Sequence, residues 1–370
     1  MNGAPSQHIA VVGAGLLGRL TAWRLARLGL AVDLFEAGSL RDTPKAAAFT
    51  AAAMISPLSE VVDSERLIYD MGLASLDLWP LFLQQLSEGL SQPLQPASYR
   101  EDGSLVVAHQ QDSALLQQFA ERLQFHLGNA TEHSQWLQQN QLRELEPDLA
   151  GFHRGLLLPR EAHIDNHALL TQLLTALQQL NVNCFERTPI NNVNAHYIDT
   201  GTQKREYDWV IDCRGFGAKS DIKDLRGVRG EVLWVETGEI ELQRPVRFMH
   251  PKYKLYVVPK PNRQFIIGAT EIESEDLSPI SLRSTLELSS ALYALNPAFA
   301  EARVLRSDVN LRPSLIDNRP RIVTKPGLLR ANGLHRHGYL LAPVVVENLV
   351  ALITQQHPFS FADTLIEAQA

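Results

Sequence analysis

The chain has 370 residues, 34 Lys and Arg against 41 Asp and Glu, and a formal net charge of −7 with both signs scattered along its length. That balance argues against a nucleic-acid partner, which would need clustered cations to neutralise phosphates, while the length allows two domains around a large core. Only two cysteines occur, Cys184 and Cys213, each inside an apolar strand-like run, which excludes a disulfide scaffold and reads as reduced, buried thiols.

The first eight residues have neither the basic start nor the apolar core of a signal peptide, and the first apolar run, 9–12, is itself a strand that reaches Gly13. Gly13, Gly15 and Gly18 then open a stretch with helical periodicity at Leu17, Leu20, Leu25 and Leu28. This strand–turn–helix setting is what a G-x-G-x-x-G fingerprint requires. In it Gly13 permits the tight turn, Gly15 lets the backbone approach a pyrophosphate, and Gly18 lets helix pack on strand; Ala14, Leu16 and Leu17 belong to the same contact at the helix's positive end. A second strand, 30–35, ends in Glu36, where a carboxylate meets a ribose 2′-hydroxyl and would repel a 2′-phosphate. The ligand is therefore FAD or NAD rather than NADP.

The small-residue run 46–57 includes Thr50, Ala52, Ala53 and Met54. It is either a plain helix, which alanine favours, or a wall whose short side chains let the backbone press against a flat ligand. Apolar spacing predicts helices over 64–90, a break at Pro93 and Pro96, a strand over 103–108 and a helix over 112–127. The glutamine-rich 135–141 reads as a short surface helix, with Trp136, Leu137, Leu142 and Leu145 as its apolar face. A helix over 166–180 and strands at 183–186 and 193–198 follow, the last beginning at Val193. The apolar strand 209–213 then runs into Gly215, a turn that is either at the ligand-facing end of a doubly wound sheet or a mere chain reversal.

From Gly230 the texture changes to alternating strands at 231–235, 246–249, 254–258, 264–269 and 304–311, interrupted by a helix over 281–295. A strand and turn at 327–333 and a closing helix over 343–355 return to the first pattern. The most hydrophobic stretch, 339–353, carries Glu347 and Asn348 and is too short to span a bilayer. A cytoplasmic protein with no membrane span is the expectation. The expected fold is α/β: an FAD-binding, Rossmann-like, doubly wound domain formed by 1–85, 145–225 and 315–370, with an inserted mixed-sheet substrate domain formed by 86–144 and 226–314.

The fingerprint, residues 51–57, 256–260, 267–270 and 311–313, and the carboxy-terminal block 333–343 (Gly-Leu-His-Arg-His-Gly-Tyr-Leu-Leu-Ala-Pro) occur in a characteristic order. In this the chain resembles FAD-dependent amine oxidases of the D-amino-acid oxidase type, and within them the glycine oxidases that supply an imine for the thiazole of thiamine. The resemblance covers nearly the whole chain, although 84–141 adds little. It implies that an amino acid binds over the flavin with its amine uncharged, that its α-hydrogen leaves as hydride to flavin N5, and that oxygen then takes the electrons and gives peroxide. The cofactor supplies the hard chemistry, which fits a sequence with no evident nucleophile, triad or metal-ligand cluster.

The resemblance also carries residues over. Arg312 matches the family's carboxylate-binding arginine, whose planar fork suits a carboxylate; Tyr256 matches the tyrosine that donates to the same carboxylate; and Arg336 sits in the loop beside flavin and substrate. Around it, His335, His337, Gly338, Tyr339 and Leu340 are expected to contact the flavin through their backbone. Two histidines two apart, with no thiolate or carboxylate near them in sequence, are not a metal site. Two positions depart from the family: Glu271 stands where the pattern has methionine, and Lys254 where a histidine is frequent. A hairpin pairing Pro259 with Gln264 would put Lys254, Tyr256, Ile267, Ala269 and Glu271 on one face, so that Lys254 and Glu271 either pair at the pocket edge or both extend into solvent.

These readings converge on oxidative deamination of a small amino acid, glycine first, with oxygen as electron acceptor and a possible homo-oligomer. Two alternatives stay open: an amino-acid or secondary-amine dehydrogenase using a quinone or protein acceptor, and a non-catalytic flavin-binding accessory protein.

Overall fold

Each apolar strand at the amino terminus is followed by a helix that carries the chain back, so the strands align in parallel. The computed structural model describes residues 7–41, 45–88, 99–128, 132–252, 254–357 and 359–368; the break expected at Pro93 and Pro96 lies outside them. His8–Val12 is an interior strand of a seven-stranded sheet, parallel to Ala31–Phe35 on one side and to the central Trp209–Asp212 on the other. Asn183–Phe185 extends the first side, and Leu328–Asn332, Arg321–Lys325 and Ile366–Ala368 the second. Strands covered on both faces need apolar residues at every position, and Ile9, Ala10 and Val11 are fully buried.

Helices Leu16–Arg27, Arg66–Ser87, Asn166–Gln179 and Gly338–Thr354 share one core with this sheet, through Leu20, Trp23, Trp79, Leu170 and Val345 packed with Val11 and Ile211. Gly338–Thr354 is apolar on nearly every side because it is enclosed: it packs on the first two of these helices, and the indole of Trp79 donates to the Tyr339 carbonyl at 2.9 Å. Its first turn starts five residues before the expected 343, since Pro343 lies near enough to the amino end to be tolerated. Among the described residues no helix is long and apolar enough to cross a membrane.

The second sheet has eight strands in the order Arg303–Ser314, Arg226–Glu236, Gln264–Gly268, Lys254–Lys260, Val246–Met249, Ser104–Ala108, Arg154–Leu158 and Gln135–Gln138. The molecule is thus a doubly wound α/β unit with a mixed sheet set beside it. Arg154–Leu158, grouped by sequence with the first unit, pairs with Ser104–Ala108 of the second. The helix expected at 135–141 is instead the strand Gln135–Gln138 followed by the helix Gln139–Leu145. Pairing with Arg154–Leu158 decides this, and the Arg154 guanidinium covers the Trp136 ring at 4.6 Å. Residues 193–198 form two strands, Asn192–Asn194 and Tyr197–Asp199, turned at His196.

Candidate active site

One cavity of about 980 Å³ runs between the two sheets. At one end the glycine turn forms it. Gly13 has φ +98 and donates to the Phe35 carbonyl at 2.8 Å, and a Cβ there would come within 2.6 Å of the Cys213 carbonyl. Gly13, Gly15, Leu16 and Leu17 line the cavity. Ala14 and Gly18 do not: the Ala14 amide donates to Glu36 Oε2 at 2.8 Å, and Gly18 is pressed against the Gly13 carbonyl. Glu36 is held by that bond and by the Gly38 amide at 3.0 Å, and it lines the cavity at the end of its strand.

Beneath the turn lies a residue that the sequence did not single out. Arg19 is 1 % exposed, and its guanidinium donates to the carbonyls of Ala14 (2.8 Å), Leu170 (2.6 Å) and Leu40 (2.9 Å). Burial pulls its pKa down to about 10, so it stays charged at neutral pH. It ties the glycine turn to the loop after the second strand and to the helix behind. Helical periodicity hid it, because an arginine at that position reads as a solvated face. Val193, expected at the cofactor, is buried with Ala10, Val12 and Phe35, and Thr188, Pro189 and Ile190 line the cavity there instead. Its strand turns its apolar side onto one face of the first sheet.

Both readings of the small-residue run hold in part. It forms one helical turn, Ala47–Thr50, and a short strand, Met54–Ile55, and Thr50, Ala52, Ala53 and Met54 all line the cavity. Three elements fix its backbone: the Tyr339 hydroxyl donates to Ala48 O at 3.0 Å, the Asn166 amide to Phe49 O at 3.0 Å, and Lys260 Nζ to Ala52 O at 2.9 Å. Lys260 also donates to Ile164 O at 2.7 Å, and burial pushes its pKa down to about 7. Gly215, with φ +56, lines the opposite wall beside Arg214.

At the other end the mixed sheet brings Arg312, Tyr256 and Arg247 to the cavity, and the loop of His335, Arg336 and His337 closes it together with Glu60 and Glu271. Arg312 lies over Gly230, where a Cβ would come within 2.6 Å of the guanidinium, and donates to the carbonyls of Thr270 (3.0 Å) and Arg229 (3.3 Å). Burial raises the Tyr256 phenol above its ordinary value, against the opposing pull of Arg312 and Arg247. Among the described residues its hydroxyl has no hydrogen-bond partner, and it stands beside an arginine that no carboxylate neutralises.

Glu60 was absent from the sequence reading, yet it anchors the loop. Its Oε2 accepts from Arg336 Nε at 2.8 Å and meets His337 Nε2 at 2.9 Å, while Oε1 lies 3.6 Å from Arg247 Nη2. Burial alone would raise its carboxyl; the His337 bond and the charges of Arg336, His337 and Arg247 hold it well below the usual carboxylate range. The buried Glu161, accepting from the Ser59 amide at 2.5 Å and from the Ser104 hydroxyl, fixes the short helix that carries Glu60. A lone glutamate 276 residues from its arginine leaves no local signal. His335, at φ +49, has Nδ1 2.7 Å from the Ser314 hydroxyl, and burial beside His337 and Arg336 lowers its pKa to about 3. Gly338, Tyr339 and Leu340 follow along the same wall.

The expected hairpin register is one residue out. Lys260 pairs with Gln264 and Tyr256 with Gly268, so Ile267 faces the opposite core with Val257. Glu271 lies past the strand's end, with Oε2 accepting from Arg336 Nη1 at 3.2 Å and Oε1 3.8 Å from His335 Nε2. Its partner is Arg336; the Lys254 side chain lies outside the described residues.

The glycine turn, Glu36 and the small-residue wall fit an adenine dinucleotide with a flat ring system: backbone amides at a helix start suit a pyrophosphate, and methyl groups suit a ring face. Comparisons agree. A family model described as FAD dependent oxidoreductase, DAO, matches residues 8–352. A protein of Rhizobium etli named as a thiamine biosynthesis oxidoreductase, ThiO, is 37 % identical over 94 % of this chain and 97 % of its own. The glycine oxidase of Geobacillus kaustophilus is 25 % identical over 91 % of this chain and 90 % of its own. The crystal structure of glycine oxidase from that organism superposes with a TM-score of 0.84 at 23 % identity, covering 99 % of this chain and 100 % of that one, which shows the fold.

Proposed function

The chain belongs to the DAO family of FAD-dependent oxidoreductases, and from that premise we propose that it oxidises the amine of a small amino acid, glycine first, to the imino acid, as a step of thiamine biosynthesis. The observation that carries the substrate class is Arg312, a guanidinium in the cavity whose partners among the described residues are only carbonyls, beside the Tyr256 hydroxyl, which none of those residues bonds. A carboxylate accepts from both: the N–H edge of the guanidinium gives charge-assisted hydrogen bonds, and the phenol, kept protonated, adds another. Held there, the α-carbon is fixed and its amine is left free to react. The loss of two electrons and two protons gives a C=N bond, and water then releases ammonia and the 2-oxo acid.

Bound FAD supplies the two-electron acceptor, with oxygen as the proposed final acceptor and hydrogen peroxide as its product. Gly13, Gly15, Leu16, Leu17, Glu36, Thr50, Ala52, Ala53, Met54, Gly215 and the 335–340 loop would hold it. Arg336 and Glu271 shape the substrate end, and Ala14 and Gly18 shape the turn. The test is anaerobic: glycine, sarcosine and a panel of D- and L-amino acids are added to the purified holoenzyme while the flavin absorbance is followed. Rapid bleaching by glycine, then peroxide on admission of air, is the expected result. A yellow protein that no amino acid bleaches would overturn the reading.

A further inference from the structure

We propose that Glu271 is a specificity-determining residue: by occupying Arg336 it confines the site to amines that carry a single carboxylate. The inference rests on the amine-oxidation reading above and adds a charge limit to it. Arg247, Arg312 and Arg336 line the substrate end of the cavity with the carboxylates Glu60, Asp63 and Glu271, of which Asp63 pairs with Arg122 at 3.0 Å. Glu60 takes Arg336 at 2.8 Å and lies 3.6 Å from Arg247, and Glu271 takes the other side of Arg336 at 3.2 Å. Arg312 meets only the backbone carbonyls of Thr270 and Arg229. Of these three arginines, it alone has no carboxylate within 4 Å among the described residues, so a substrate carboxylate is placed there; Arg247, 3.6 Å from Glu60, keeps a buried Nε without a partner.

A second carboxylate on the substrate, carried on its nitrogen or its side chain and directed at the 335–337 loop, would have to draw Arg336 away from two carboxylates already bound to it. It would also meet the charge of Glu271, which solvent screens only in part because that side chain is half-exposed. Glu271 is suited to such a limiting role because it is not part of the core: its side chain is 48 % exposed, and Arg336 keeps Glu60 when Glu271 is lost. A Glu271→Gln change leaves the volume of the pocket nearly unaltered and removes only the charge. This separates a charge limit from simple narrowing.

The experiment compares native holoenzyme with Glu271→Gln, using sarcosine as the monocarboxylate and N-(carboxymethyl)glycine as the dicarboxylate secondary amine. The ratio of kcat/KM for the dicarboxylate to that for sarcosine is expected to rise at least about 10-fold, chiefly through KM for the dicarboxylate. Adding Arg336→Met to the variant should abolish the gain, since Arg336 is the group set free. In parallel, acetate and malonate are titrated against the visible spectrum of the oxidised flavin, and malonate should tighten relative to acetate in Glu271→Gln. An unchanged ratio in both assays, or a native enzyme that already prefers the dicarboxylate, would overturn the proposal. If no amine reduces the native enzyme, the reading of amine oxidation fails, and the acetate and malonate titrations still decide the charge limit.

Discussion

The two ends of the cavity are built by opposite means. At the nucleotide end the contacts come from backbone amides and methyl groups on consecutive residues, and the charged side chains are spent on backbone partners: Glu36 on the Ala14 and Gly38 amides, Arg19 on three carbonyls. At the substrate end they come from side chains on strands and loops far apart in the chain, and charges neutralise one another across Glu60, Arg336 and Glu271. The first end rests largely on backbone contacts, although Lys260, whose pKa burial lowers to about 7, holds part of its wall. The second is a balance of charges in which removing one group redirects the others, as expected where paired ions share a poorly solvated space.

If the ends are separable in this way, Arg312→Ala should damage one and spare the other. Losing a charge-assisted, two-pronged contact costs on the order of 3 kcal/mol, so kcat/KM for the amino acid should fall by roughly 10²–10³-fold, mostly through KM. Bound FAD should stay at native stoichiometry by absorbance, and its release with the variant would show that the ends are coupled.

Arg19→Met tests the reverse. It removes the side-chain donor from three carbonyls, of which Leu170 O keeps its helical partner, at a cost of about 1 kcal/mol for each one left unpaired, and it loosens the glycine turn. The dissociation constant of FAD, measured by fluorescence on the deflavinated chain, should rise about 10-fold or more, while KM of the flavin-saturated enzyme stays near native. Arg19→Lys should recover part of the affinity. A variant with native FAD affinity would remove Arg19 from the account of the turn.

The smallest effect is expected from Glu60→Gln. The carboxyl of Glu60 is held below its ordinary value in the folded state, so its contribution to stability is complete above the unfolded value near 4.5 and fades as pH falls toward the folded one. Chemical denaturation at pH 7 should show the variant less stable than native by about 1 kcal/mol, and the gap should narrow below pH 4. A gap independent of pH would mean that packing, not charge, makes Glu60 matter.

Much of the fold is legible in the sequence. Gly13, Gly15 and Gly18 after an apolar strand, and Glu36 at the end of the next, lie within one βαβ unit, so their geometry follows from local backbone rules. The small residues 51–54 were legible for the same reason, as was the closing apolar helix. The errors share a cause. Gln135–Gln138 became a strand because Arg154–Leu158 offered it an edge, and the hairpin at 260–264 slipped by one residue, which turned Ile267 away from Tyr256. Both outcomes depend on partners that the local residues do not name.

By itself, then, the order of residues determined the glycine turn after the first strand and the presence of a mainly parallel and a mixed sheet, and, through family resemblance, singled out Arg312, Tyr256 and Arg336, which line one cavity. Only the tertiary structure decided what those groups face: Arg312 left open, Arg336 shared between Glu60 and Glu271, Arg19 drawn under the turn, and Val193 folded away from the cavity. The physical reason is range. Turns and periodicities act over a few residues, whereas the pairing of buried charges is settled by whichever distant groups packing brings within a few ångströms.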